Sequence, residues 1–262
     1  MTEQGIRFED GASYEQIMGV WSRLAGGIFL DWLAPASGQR LIDIGCGNGA
    51  FTELLIERCA PLEVLGVDPS EAQLAYARTR LGCSLAEFRK GDAMALPFPA
   101  GRFDAAVMAL VVVFVPDPAK GINEMVRVVG PGGVVATYVW DMVNGGFPLD
   151  PILGEMRAMG LSPPQPPQVG ACVPDALRDL WEGVGLRAVE TREITVQRTF
   201  VDFDDFWAIN TKSPMIAATV AAMPSRDAER LKERVQAHLP SDTTGRVICA
   251  ARANAIRGRV PT

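Results

Sequence analysis

The decapeptide Leu41-Ile42-Asp43-Ile44-Gly45-Cys46-Gly47-Asn48-Gly49-Ala50 constrains this chain more than any other stretch. The run Leu41 to Ile44, apolar except for Asp43, reads as a buried parallel strand. Glycines follow at alternate positions, and residues 51–58 then repeat their apolar members at helical spacing. A strand that ends in a glycine turn and feeds a helix presents backbone N–H groups at the carboxyl edge of a sheet. That geometry binds nucleotide-like ligands at a topological switch point. The plainer alternative is a tight strand-to-helix turn that only needs positive φ.

Two carboxylates favour a ligand site. Asp43 stands just ahead of the first glycine, and Asp68 closes the next apolar run, Val64-Leu65-Gly66-Val67, where a second strand offers an acid to a ribose diol. A dinucleotide site would use the same acid, so the glycine spacing decides between them. Dinucleotide turns read G-x-G-x-x-G, whereas this one reads G-x-G-x-G. An acid ahead of the turn repels a pyrophosphate and suits a ligand that carries an ammonium group.

Taken together, residues 41–50, 66–70, Gly91-Asp92-Ala93 and 127–133 resemble the class I S-adenosylmethionine (SAM) methyltransferases. The nearest likeness is to the small-molecule branch that includes the ubiquinone/menaquinone C-methyltransferases. The resemblance spans about residues 10–140, and nothing beyond it names a substrate. It implies a doubly wound, Rossmann-like α/β fold with a seven-stranded sheet in the order 3-2-1-4-5-7-6 and the last strand antiparallel. It also implies SAM as cofactor, with S-adenosylhomocysteine (SAH) as product. By position, Asp43, Gly45, Cys46, Gly47 and Asn48 would face the methionine end, and Asp68, Pro69 and Ser70 the ribose. Asp92 and Ala93 would face the adenine, although Asp92 alone also reads as a turn residue. Leu110 and Val111, just past the fourth strand, complete the expected set.

Composition excludes other classes. The formal net charge is −6 with no block of basic residues, so a phosphate-tracking, nucleic-acid-binding surface is not expected. The longest apolar run, residues 105–115, is too short to span a bilayer, and the acidic, polar start lacks a signal-peptide pattern. Five cysteines without paired spacing (Cys46, Cys59, Cys83, Cys172, Cys249) fit a reducing cytoplasm and give no metal-ligand pattern.

Along the chain, residues 13–33 read as two short helices within an N-terminal cover (1–34) that precedes the methyltransferase domain (35–262). In the resembled family this segment folds over the cofactor, which gives Tyr14 and Trp21 a candidate role facing the sulfonium by cation–π attraction, with core packing as the alternative. Strands are expected at 62–67, 86–89, 103–110, 134–140, 187–197 and 247–255, in addition to 41–44. Segments 141–170 and 200–240 interrupt this order as α-helical cap insertions beside the carboxyl ends of strands. Their Phe147, Phe203, Phe206, Trp207 and Met215 suggest an apolar acceptor pocket. Padding of an exposed sheet end and a homodimer contact are the alternatives.

One departure from the resembled family bears on chemistry. Many members carry a histidine just after strand four, but here the stretch is Leu110-Val111-Val112-Val113-Phe114, with no titratable group. The single histidine, His238, falls at the end of a surface helix and reads as structural. Tyr138, Asp141, Asp204 and Asp205 remain as candidate bases. The expectation is therefore methyl transfer to a small apolar or aromatic molecule by proximity and orientation, without a histidine base. The rivals are a non-catalytic SAM- or SAH-binding protein and, with less support from the glycine spacing, a dinucleotide-dependent oxidoreductase.

Overall fold

Continuous apolar strands can be buried only if helices cover both faces of their sheet. The computed structural model, which describes residues 14–262, has that arrangement. Five parallel strands come first: β1 (Arg40–Ile44), β2 (Glu63–Asp68), β3 (Ala86–Lys90), β4 (Phe103–Ala109) and β5 (Val129–Trp140). Two longer strands complete the sheet, β6 (Arg187–Phe200) and β7 (Val247–Arg259). The order is β3-β2-β1-β4-β5-β7-β6, with β7 antiparallel to both of its neighbours, as expected.

The expected pair of N-terminal helices is one continuous element. A π-helical turn, Glu15–Gly19, runs directly into α1 (Val20–Leu33). Trp21, Ala25, Phe29 and Leu33 keep helical period throughout and are buried in one cluster with Phe51 and Tyr138, so the glycines at 26 and 27 do not interrupt the helix. Residues 1–13, the start of the expected cover, lie outside the described residues. On the same face of the sheet lies α2 (Ala50–Cys59), while α3 (Glu71–Ala77) starts at Ser70, whose hydroxyl caps the Gln73 N–H. The opposite face is covered by α4 (Pro118–Val128) and α6 (Pro174–Gly183), which bury Ile122, Met125, Leu177 and Trp181. A side chain of that size contributes about 1.5–3 kcal/mol when fully buried, so each helix is held chiefly by its apolar stripe.

The cap consists of α5 (Asp150–Ala158), α7 (Phe203–Asn210), α8 (Ala217–Ala222) and α9 (Ser225–His238). Arg234 of α9 ties the two segments together by donating to Glu155 of α5 at 2.6 Å. Among the described residues, no helix is long and apolar enough to cross a membrane.

Candidate cofactor and acceptor site

The turn after β1 is pinned to the end of β2. The N–H groups of Gly45 and Cys46 donate to the Val67 carbonyl at 2.7 and 3.0 Å. Asp68 then holds both sides of the cleft, with one carboxylate oxygen accepting the Gly47 N–H at 3.0 Å and the other the Ser70 N–H at 2.8 Å. Burial pushes the Asp68 pKa up while these two backbone donors pull it down. Gly45 and Gly47 both have positive φ, but their surroundings differ. A Cβ on Gly45 would lie 2.5 Å from a Val111 methyl, whereas one on Gly47 would meet only the Gln73 amide oxygen, at 4.0 Å, and would project into open space.

That space is a cavity of about 640 Å³ at the carboxyl ends of the strands, within the range of small-molecule sites. Its β1–β2–β3 side is lined by Gly45, Gly47, Asp68, Pro69, Ser70 and Gln73, then by Gly91, Asp92 and Ala93. Tyr14 and Met18 line it from the N-terminal segment, and Leu110 and Val111 from the end of β4. Leu110 has φ +64°, an uncommon conformation for a leucine, at the point where β4 gives way to a 3₁₀ turn, Val112–Phe114. Asp92 also makes its own turn, one carboxylate oxygen accepting the Met94 N–H at 2.8 Å. The β4–β5 and cap side is apolar, with Val113, Phe114, Val139, Trp140, Met142 and Phe147, then Leu149, Ser213 and Met215.

Four expected site residues do not line the cavity. Trp21 is fully buried behind Trp140, edge to face with ring centroids 6.3 Å apart, because its helical stripe faces the sheet. Trp140 is the ring that reaches the cavity wall. Cys46 points away into a small cluster with Leu74 and Phe88. Asn48 is buried and braces the glycine turn, donating to Glu15 at 2.9 Å and accepting the Ala50 N–H at 3.2 Å. Asp43 has no exposed surface. Its Oδ2 accepts from the Thr52 hydroxyl at 2.6 Å, and its Oδ1 has no hydrogen-bond partner among the described residues. Burial raises the Asp43 pKa to about 7.

The cap aromatics divide in the same way. Phe147 and Met215 reach the cavity, while Phe203, Phe206 and Trp207 pack on one another and on Phe200 inside the cap. The four candidate bases are likewise placed elsewhere. Tyr138 is in the core beneath α1, its phenol pushed well above the usual range by burial. Asp141 is paired with Arg252 at 2.7 Å, Asp204 with Lys232 at 2.7 Å, and Asp205 accepts the Val201 N–H at 3.2 Å. His238 is on the surface at the end of α9, beside Glu155. Among the described residues, the ionisable side chains that line the cavity are Tyr14, Asp68 and Asp92. Burial raises the Tyr14 phenol to about 12, so it stays protonated near neutral pH.

Sequence reasoning missed Met18, Gln73, Val139, Trp140, Met142, Leu149 and Ser213 as cavity residues. Trp140 carried a usable signal, since it ends β5 at the carboxyl edge where ligands bind in such sheets. The cap residues had none, because which cap side chains turn inward is decided by packing.

The doubly wound sheet, its glycine turn and the acid at the end of β2 define a class of site: a cleft for a nucleotide-like ligand at the carboxyl ends of the strands. Residues 42–137 match the family model described as a methyltransferase domain. An uncharacterised methyltransferase of Mycobacterium bovis is 36% identical over 131 residues, 50% of this chain and 49% of its own. A ubiquinone/menaquinone biosynthesis C-methyltransferase of Roseobacter denitrificans is 31% identical over 138 residues, 50% of this chain and 55% of its own. A 2-phytyl-1,4-naphthoquinone methyltransferase of Synechococcus elongatus is 33% identical over 147 residues, 54% and 59% of the two chains. The chain thus spans about half the length of the curated relatives it matches. Two solved structures share the fold over most of this chain. The YcgJ protein of Bacillus subtilis has a TM-score of 0.62 at 17% identity, covering 91% of this chain and 98% of its own. Phosphoethanolamine N-methyltransferase 2 of Haemonchus contortus, in complex with SAM, has a TM-score of 0.59 at 18% identity, covering 96% and 56%.

Proposed function

We propose that this chain transfers a methyl group from SAM to a small apolar or aromatic acceptor, without a histidine base. The observation that carries the reading is the asymmetry of the 640 Å³ cavity, which has a glycine-and-carboxylate cradle on one side and, among the described residues, an apolar wall free of Lys, Arg and His on the other.

The residues present fit the cofactor. The half-satisfied, fully buried Asp43 carboxylate is suited to a nearby ammonium group, and the open space above Gly47 admits a ligand that a side chain there would block. Asp68 keeps lone pairs for a ribose diol after accepting its two backbone N–H groups, and Asp92 and Ala93 line the same side of the cavity, which supports an adenine-facing role for them. Bound SAM would supply a methyl group on a sulfonium, an activated electrophile with a good leaving group. The task left to the chain is alignment and exclusion of water, and orientation alone can supply several kcal/mol. Val113, Phe114, Trp140 and Phe147 perform that task for an acceptor, and they would solvate a charged sugar phosphate poorly. The naphthoquinone named for the Synechococcus relative is an acceptor of the same general character.

With no resident base at the apolar end, proton loss belongs to the acceptor itself. Rates of SAH formation measured against pH for thiol, amine and phenol acceptors should each follow the acceptor's own pKa. One pH profile shared by acceptors of different acidity would reveal a protein base and overturn this part of the reading. SAH that binds but never forms with any acceptor would leave a SAM-binding protein without transferase activity.

A further inference from the structure

The π-helical turn Glu15–Gly19 is tied on both sides of the cavity. On the glycine-turn side, the Glu15 carboxylate accepts from Asn48 Nδ2 at 2.9 Å and pairs with Arg80, which also donates to the Asn48 carbonyl at 2.7 Å. On the cap side, one guanidinium nitrogen of Arg198 in β6 donates to the carbonyls of Gln16 and Ile17 at 3.0 and 3.1 Å. Lys212 Nζ reaches the Gln16 side chain at 3.2 Å, and the next residue, Ser213, lines the cavity. Between these ties, Tyr14 and Met18 line the cavity from the same segment. Arg198 is half-buried, stacked over the Phe200 ring at 4.5 Å, and among the described residues it forms no ion pair with a carboxylate. Its hydrogen-bonding capacity is directed at the turn. A π-helical turn departs from the preferred α geometry and is often found at functional sites, and here external donors hold its carbonyls in place.

We infer that Arg198 is a positioning residue for the cofactor: it fixes the 15–19 turn so that the cap and the glycine turn close on the ligand as one unit. The inference rests on the reading of this cavity as a SAM site. It assigns a role in cofactor affinity to a residue on the sheet edge opposite the nucleotide end. Coupling through the shared turn also means that cofactor binding steadies the 211–216 cap segment that forms part of the acceptor wall.

Calorimetric titration with SAH, on the wild type and on Arg198→Met, Arg198→Lys, Glu15→Gln and the Arg198→Met/Glu15→Gln double variant, tests it. Arg198→Met should bind SAH roughly tenfold more weakly, in the range usual for coupled sites, and Arg198→Lys should recover most of the loss. The double variant should lose less than the product of the two single losses, because both ties act on one turn. In the wild type, SAH should also slow amide exchange at 211–216 as well as at the glycine turn, a readout that needs no variant to fold. Wild-type affinity in Arg198→Met, with only a lowered melting temperature, would make the residue structural and overturn the inference. Unchanged exchange at 211–216 would do the same. A wild-type protein that binds no SAH would overturn the SAM reading together with this one, so the two failures are distinguishable.

Discussion

The two ends of the cavity are built on different principles. The end at the glycine turn is made largely of backbone, with its N–H groups taken up by the Val67 carbonyl and the Asp68 carboxylate, that carboxylate clamping two loops, and glycines where a Cβ would intrude. Apart from Tyr14 and Met18, its residues come from short stretches at strand ends between positions 45 and 111, inside the segment that matches the methyltransferase domain family. The opposite end, the proposed acceptor wall, is apolar and made of side chains, and much of it, from Val139 through Phe147 to Met215, lies outside that segment. Backbone presented at a turn binds one ligand shape and leaves the sequence little freedom. A wall of packed side chains is satisfied by many residue combinations, so it changes readily while the fold stays the same.

Variants at the two ends should therefore separate cofactor binding from acceptor recognition. The largest effect is expected at Gly47, where φ is +52° and the space above the Cα is open. Gly47→Val should weaken SAM binding by about 3 kcal/mol or more, beyond a hundredfold, with the sheet intact by circular dichroism. Normal affinity would reduce the glycines to turn residues. Asp68→Ala should follow, at about 1.5–3 kcal/mol in calorimetry, because it removes both an acceptor for the ligand and the clamp on Gly47 and Ser70.

Asp43 gives an effect that depends on pH. Its pKa in the folded protein, about 7, is above the usual carboxylate value near 3.8, so the folded state holds its proton more tightly than the unfolded state does. The stabilising contribution of the protonated acid is complete below the unfolded pKa, is lost as pH rises toward 7, and levels off above it. Unliganded protein should therefore lose stability across that window in denaturant titrations. SAM affinity should rise over the same range, since an ammonium favours the ionised carboxylate. Asp43→Asn should flatten both curves, and a pH-dependent curve in that variant would assign the titration to another group. The smallest effect is expected at the other end. Phe147→Leu should raise the acceptor KM by about fivefold, roughly 1 kcal/mol of lost contact, and leave SAM affinity within twofold. A comparable loss of SAM affinity would erase the distinction between the ends.

The same contrast explains what could be read from the residues alone. The position of Asp68 was legible in the local pattern of strand, glycine turn and second strand, whereas the strand order and the antiparallel last strand were legible only through the resemblance to a known family. For Trp21 the core-packing alternative holds, because helical spacing shows which residues share a face but not what that face meets; here it meets the sheet and Trp140. The N-terminal segment reads as two helices in sequence because the continuity of its apolar stripe depends on burial against α2 and β5, which local spacing does not show. Phe203, Phe206 and Trp207 drew attention as aromatics in a cap, but packing of the cap on itself kept them there and sent Met215 to the cavity instead. Ser213 and Leu149 had no local signature.

On the proposed reading, the cradle after β1 takes a nucleoside bearing an ammonium rather than a pyrophosphate. Competitive equilibrium dialysis of the wild-type protein against SAM, SAH, NADH and ATP at neutral pH tests it most directly. SAM and SAH should bind at one shared site and compete with each other, and neither NADH nor ATP should displace them. Retention of NADH with no measurable SAM or SAH would contradict the account.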